Sequence, residues 1–281
     1  MCVRVLTIFV ALAAFAPAAV AEPPSLKEQF EKLADAGDVD AIAKLWKQNE
    51  GKTLLVIDSY LEGALKVIET TKEDAKPDLA KVAQMHKRAL IGAAAADKAF
   101  DRTMFSDYTS SFVGWTRDQQ KQFRAGQRAF GDARKAAKAG EHEKAREAGQ
   151  RCIDLAAPLG DWWGFAMGLS ARGAAEQQLG EDEKALASLS SARQIHTTLG
   201  LRSSAYRNAQ AMVKLLVKLK RLPRATAVIE NALSMARELS DKPGEVALLT
   251  QRAAVEEASG HSEAAAATRK KIAELEKSAE K

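Results

Sequence analysis

From about residue 117 onward, apolar residues recur at spacings of three and four with polar residues between them, the mark of amphipathic helices. The pattern breaks at short polar or glycine-bearing windows and then resumes. Four of these windows lie 40 residues apart: Gly140-Glu141-His142-Glu143-Lys144-Ala145, Gly180-Glu181-Asp182-Glu183-Lys184-Ala185, Lys220-Arg221-Leu222-Pro223-Arg224-Ala225 and Gly260-His261-Ser262-Glu263-Ala264-Ala265. A second mark keeps the same spacing, at Leu159-Gly160, Leu199-Gly200 and Leu239-Ser240. The periodicity predicts helix pairs over 118–139 with 141–157, 162–179 with 181–198, 203–219 with 222–239, and 244–259 with 261–277. Pro223 suits the first turn of a helix, where its missing N–H is not needed. Asp241-Lys242-Pro243-Gly244 reads as a turn. Self-similarity at such a period predicts a stacked-repeat protein, a class that builds long surfaces more often than catalytic pockets.

The segment 25–116 is helical by the same criteria but less regular. Ala36-Gly37-Asp38 resembles the later turns. Leu54, Ile57, Asp58, Leu61, Leu65 and Ile68 share one helical face. Lys76-Pro77-Asp78 breaks the chain before an Ala-rich stretch over 79–99, and a degenerate repeat is expected over 79–115. Phe100, Phe105, Tyr108, Phe112 and Trp115 cluster there and are expected to form a local core.

The helix-turn-helix units resemble tetratricopeptide repeats. The small position of the first helix is held by Ala133, Gly173 and Ala253, and the alanine after the turn by Ala145, Ala185, Ala225 and Ala265. The large residue four later is Leu189 or Ile229, and the next small position is Cys152, Ala192 or Ala232. Small residues let two backbones approach and large neighbours fill the space between units. Val213, Gly149 and Arg269 depart from the pattern. The period of 40 is longer than the family's usual 34, as in the long repeats of kinesin light chains and bacterial regulators. The resemblance implies an all-α fold, a right-handed α-solenoid of antiparallel helix pairs. It covers 120–281 well and 25–116 weakly.

Composition agrees with packed helices: 46% hydrophobic and 28% charged residues, only 6% aromatic, and 7 prolines. The N-terminus reads as an export signal, with Arg4, an apolar stretch Val5 to Ala16, and the small-x-small site Ala19-Val20-Ala21 before Glu22. Cleavage after Ala21 predicts an exported protein, periplasmic or secreted, with domains 1–21, 22–116 and 117–281. Cys152 is then the one cysteine left, so no internal disulfide forms, and its apolar face predicts a buried thiol. The net charge of +5 is too small to signal nucleic-acid binding.

No motif with a catalytic mechanism survives inspection. Gly51-Lys52-Thr53 lacks the earlier glycine of a phosphate loop, since residue 46 is Trp. His86, His142, His196 and His261 show no metal-ligand spacing. No cofactor, no metal and no catalysis are expected. A pocket with strongly shifted titratable groups, built from 25–116 and the first repeat, would reopen the enzyme reading.

What remains is a surface. The resemblance implies that the first helix of each unit lines a concave groove, carrying Gln127, Arg134 and Lys138 in the first unit, Met167, Ser170, Gln177 and Gln178 in the second, Arg207, Gln210, Lys214 and Lys218 in the third, and Thr250, Gln251 and Glu257 in the fourth. Its cations suit an acidic peptide through charge-assisted hydrogen bonds. The expected role is a non-catalytic scaffold or adaptor for a protein or peptide. The alternative is a self-associating component of an envelope assembly. Trp162 and Trp163 are expected to pack between repeats.

Overall fold

The computed structural model describes residues 24–71 and 75–279, with side chains as far as residue 277. The predicted export signal lies outside the described residues. These form thirteen α-helices, one short 3-10 turn and no strand. The fold is all-α.

The repeat region is a run of helices: α6 (Arg117–Lys138), α7 (His142–Ala156), α8 (Trp162–Gln178), α9 (Asp182–Thr198), α10 (Arg202–Lys218), α11 (Leu222–Glu238), α12 (Lys242–Ala258) and α13 (Ser262–Ala279). Each ends in the same way. Residues 140, 160, 180, 200, 220, 240 and 260 all take positive φ, between 55° and 79°. At the first turn the Gly140 N–H donates to the Ala137 carbonyl (3.1 Å) and the Glu141 N–H to the Ala136 carbonyl (2.9 Å). The same two bonds recur at the six later turns. This left-handed terminus satisfies carbonyls that the helix itself cannot. Five of the seven positions are glycine, which adopts this conformation without strain. The backbone therefore repeats every 20 residues, half the period of the side-chain pattern.

Turns this short make neighbouring helices antiparallel, and each helix packs on the next. The first helices also pack on one another, most closely α6 on α8, and the second helices do so less. The layer whose helices lie closer together is the inner side of the curve. The family pattern's departures have local causes. A Cβ on Gly149 would lie 2.8 Å from the Arg172 backbone N, so glycine is what lets α7 and α8 meet. Arg269 bonds Glu257 of α12 instead of filling an apolar contact.

A polar pair alternates between units. Glu176 and Glu256 are buried, and each accepts a hydrogen bond from a buried hydroxyl on the following helix, Ser188 (2.7 Å) or Thr268 (2.8 Å). Arg172 and Arg252, one turn earlier, pair with the same carboxylates. In the other two units the corresponding residues are apolar, Ala136 with Ala148 and Leu216 with Val228, and all four are buried.

The N-terminal region is a bundle of α1 (Leu26–Asp35), α2 (Val39–Gln48), α3 (Glu50–Glu69), α4 (Leu79–Phe100) and α5 (Met104–Val113). Helix α4 is its centre, packed against the other four. Its small residues Ala89, Gly92, Ala93 and Ala96 permit this, and Gly92 lies directly under the Phe30 ring and Ile57. Trp46 Nε1–H donates to the Gly92 carbonyl (2.9 Å). The expected turn at Gly37 is present with φ 71°. Gly51-Lys52-Thr53 lies in the first turns of α3.

The bundle does not stand apart from the repeats. Phe105, Tyr108, Phe112 and Trp115 are buried, and their core continues into Phe123 of α6 and into Leu159, Leu199 and Leu201 of the interunit turns. Trp115 Nε1–H donates to the Leu159 carbonyl (3.0 Å), Arg102 to the Thr198 carbonyl (2.7 Å), and Glu50 receives both Arg102 and Arg202. Leu239, the third residue of that series, lies beyond the bundle's reach and is 38% exposed.

Candidate functional site

Two cavities lie side by side where the bundle meets the first units. The larger, about 490 Å³, is on the inner face of the repeats. Phe130 and Arg134 of α6, Trp163, Met167 and Ser170 of α8, His196 of α9, and Ser204, Arg207 and Asn208 of α10 line it. Arg134 lies over the Phe130 ring at 5.9 Å, and Arg207 donates to Ser204 Oγ at 3.2 Å. Asn208 Nδ2 lies 3.0 Å from Ser170 Oγ and 3.1 Å from His196 Nδ1. With the amide donating to Nδ1, the imidazole proton is on Nε2. Burial, and then the Arg207 charge, push the His196 pKa down to about 4, so the ring is neutral at physiological pH.

The residues expected on the groove divide into groups. Arg134 and Arg207 come together on this cavity, with Met167 and Ser170 between them. Lys138, Gln178 and Lys214 are exposed but outside it, and neither lysine forms an ion pair among the described residues. Gln210 and Gln251 are half-buried. Lys218 is a correction to the expected basic stripe, because Asp182 of α9 holds it at 2.6 Å. Trp162 is a second correction. It is 39% exposed, with its ring edge-on to Phe165, and does not pack into the core between repeats.

The smaller cavity, about 170 Å³, shares Phe130, Trp163 and Met167 with the first. Its other walls are Asp58 and Glu62 of α3, Tyr108 of α5, Phe123, Gly126 and Gln127 of α6, Cys152 of α7, and Asp161 and Gly164 at the start of α8. Tyr108 O–H donates to Asp58 Oδ1 at 2.6 Å. Asp161 is 5% exposed and caps α8 by accepting the Gly164 N–H on Oδ1 (2.8 Å). Burial raises the Asp58 pKa to about 7 against the opposing Tyr108 bond, with Glu62 and Asp161 adding to the rise. Burial likewise raises Asp161 to about 6, the Gly164 bond opposing and Glu62 adding. Glu62 is paired with Arg124 at 2.7 Å, and Arg124 also holds Glu69. Cys152 is buried as expected. Its Sγ lies 3.4 Å from the Gly164 carbonyl, and burial, then the Asp161 charge, push the thiol up to about 12.

In the sequence Asp58 shares one helical face with Leu54, Ile57, Leu61, Leu65 and Ile68, and that pattern assigns it no chemical role. Glu62, one helical turn on, is a neighbour that the i,i+4 spacing gives, whereas Tyr108 and Asp161 lie 50 and 103 residues further along the chain and only tertiary packing brings them to Asp58.

No protein-family model matches the chain, and no curated protein matches it. Among solved structures it is similar to the crystal structure of BtubC (BKLC) from P. vanneervenii. The two share 16% sequence identity with a TM-score of 0.49 over 92% of this chain and 93% of that one.

Proposed function

We propose that this chain is an exported, tetratricopeptide-like scaffold that holds a protein or peptide in the inner groove of its repeats and performs no catalysis of its own. The smaller cavity does hold the shifted carboxyl groups that would reopen the enzyme reading; we read it as a binding site, because burial pushes its thiol, Cys152, up to about 12 and its carboxyls are engaged by Tyr108 O–H and Gly164 N–H. The observation that carries the reading is the convergence of Arg134 and Arg207, from helices two units apart, on one cavity with a polar floor and an aromatic wall. Two guanidinium groups above Ser170 and Asn208 suit a carboxylate, since charge-assisted hydrogen bonds from arginine are strong and directional. A rigid frame of packed helices keeps the arginines apart and pre-organised, which lowers the cost of binding.

The test is binding of peptides with an acidic C-terminus to the full chain and to an Arg134→Glu, Arg207→Glu variant. Both arginines are exposed, so the variant is expected to keep its helical content. Binding should weaken with salt and fall by at least about tenfold in the variant. Equal affinity in both proteins would remove the groove from the account.

A further inference from the structure

The repeat supplies its own control for the smaller cavity. Asp161 and Asp241 are counterparts, 80 residues apart, and each caps a first helix through Oδ1, to Gly164 N–H at 2.8 Å and Gly244 N–H at 3.0 Å. At Asp241 the second oxygen is also satisfied, because Tyr206 O–H donates to Oδ2 at 2.9 Å. The counterpart of Tyr206 in the earlier unit is Gly126. There is no phenol there. Asp161 Oδ2 has no hydrogen-bond partner among the described residues, and Gly126 is part of the cavity wall. The earlier unit thus has an opening where the later one has a tyrosine.

What the opening lacks is a positive charge. Asp58 and Asp161 form no ion pair among the described residues, and the nearby Arg124 is committed to Glu62 and Glu69. The aromatic rings of Tyr108, Phe123, Phe130 and Trp163 complete the walls, and ring faces attract cations electrostatically. Ring faces on several sides of two carboxylates suit an organic cation with an apolar stem. A cavity of about 150 Å³ holds one benzene, so this one takes about six heavy atoms, the length of a butylammonium or the outer part of a lysine side chain.

We propose that the cavity bounded by Asp58, Asp161, Gly126 and the aromatic walls is a binding site for a primary ammonium group on a short aliphatic stem. The ammonium donates to Asp161 Oδ2, as Tyr206 does to Asp241, and neutralises Asp58. The stem lies against Phe130 and Trp163, the wall shared with the arginine cavity. The source is a lysine of a groove-bound peptide or a free alkylamine. Only the lysine source rests on the groove reading above.

The test is calorimetric titration of the full chain with butylammonium chloride, 1-butanol, and an acidic-ended peptide carrying one lysine or norleucine in its place. Three variants accompany it: Asp161→Asn, which keeps the cap; Asp58→Asn, which keeps an acceptor for Tyr108; and Gly126→Tyr, which imports the later unit's phenol. A Cβ at Gly126 has its nearest neighbour at 3.7 Å, so that position has room. Saturable binding of butylammonium but not butanol, lost by at least about tenfold in each variant, supports a free amine as the source. Binding of the lysine peptide over the norleucine peptide, with the same losses, supports the lysine source. Neither ammonium probe binding, or unchanged affinity in all three variants, overturns the site. Loss of peptide but not butylammonium in the Arg134→Glu, Arg207→Glu protein shows the two sites to be separable. If peptide affinity is unchanged there while the ammonium effects hold, the groove reading fails and this one stands.

Discussion

An aspartate taken out of water retains its proton far above the usual carboxylate range, and Asp58 is the clearest example in this chain. One tyrosine hydroxyl opposes the effect of burial without cancelling it. The linkage has a definite sign. The folded carboxyl, at about 7, binds a proton more readily than the unfolded one, near 3.8, so stability falls as pH rises between these values. Asp161, raised to about 6, acts in the same direction. Facing Asp58 are Glu62 and Asp161, which add to the rise, and Arg124, which opposes it. Removing the charge while keeping the acceptor should relieve the cost. Asp58→Asn is expected to raise the urea midpoint at pH about 8, a gain of about 2 kcal/mol in stability, and to change it little at pH about 3, where the wild-type carboxyl is protonated in both the folded and the unfolded chain. A midpoint that falls at both values would show that Asp58 is a structural anion.

At the scale of single helices, the alternation between Glu176–Ser188 and Leu216–Val228 shows two ways of filling one helix-pair contact. A buried carboxylate needs its hydroxyl, and removing one partner leaves the other desolvated. Ser188→Val alone should therefore destabilise by about 1–3 kcal/mol. Glu176→Leu with Ser188→Val copies the third unit and should recover most of that loss. The coupling between the two changes, read from chemical denaturation of both single variants and the double, is the measurement, since contacting residues are expected to be non-additive. Simple additivity would sink this account. The turns between helices follow a second local rule. Positive φ at Lys220 and Ser240 strains residues with a Cβ, while the other five such turns are relieved by glycine.

For the molecule as a whole, the joint between bundle and repeats decides behaviour that neither part shows alone. Leu159, Leu199 and Leu201 are buried in a core whose other members come from α1 to α6. Cutting the chain at residue 116 would bare these leucines together with Phe123. The fragment 117–281 is expected to unfold at lower urea than the full chain and to associate in solution, while the full chain unfolds the joint in one step. Urea titration of both, with light scattering of the fragment, is the check. A fragment as stable and monomeric as the full chain would make the bundle a separate domain.

The repeat architecture was legible because its causes are local. Apolar residues at spacings of three and four, glycine at the left-handed terminus and small residues at crossings act within about twenty residues of chain, and the helices of 117–279 begin and end within a few positions of where the pattern places them. Arg134 and Arg207 are both expected on the inner face, but their meeting at one cavity is not, since they stand 73 residues apart, at different positions of the 40-residue repeat. The ion pair that occupies Lys218 and the exposure of Trp162 did not follow, since each depends on a neighbouring helix. The acidic cavity lay furthest out of reach. Gly126 looks like any helix glycine, and Asp161 like any cap, until tertiary contact brings α3 and α5 over them. Burial, which raises two carboxyl groups, and the opening beside Gly126, which leaves Asp161 Oδ2 facing a cavity, belong to the packed chain and to no segment of it.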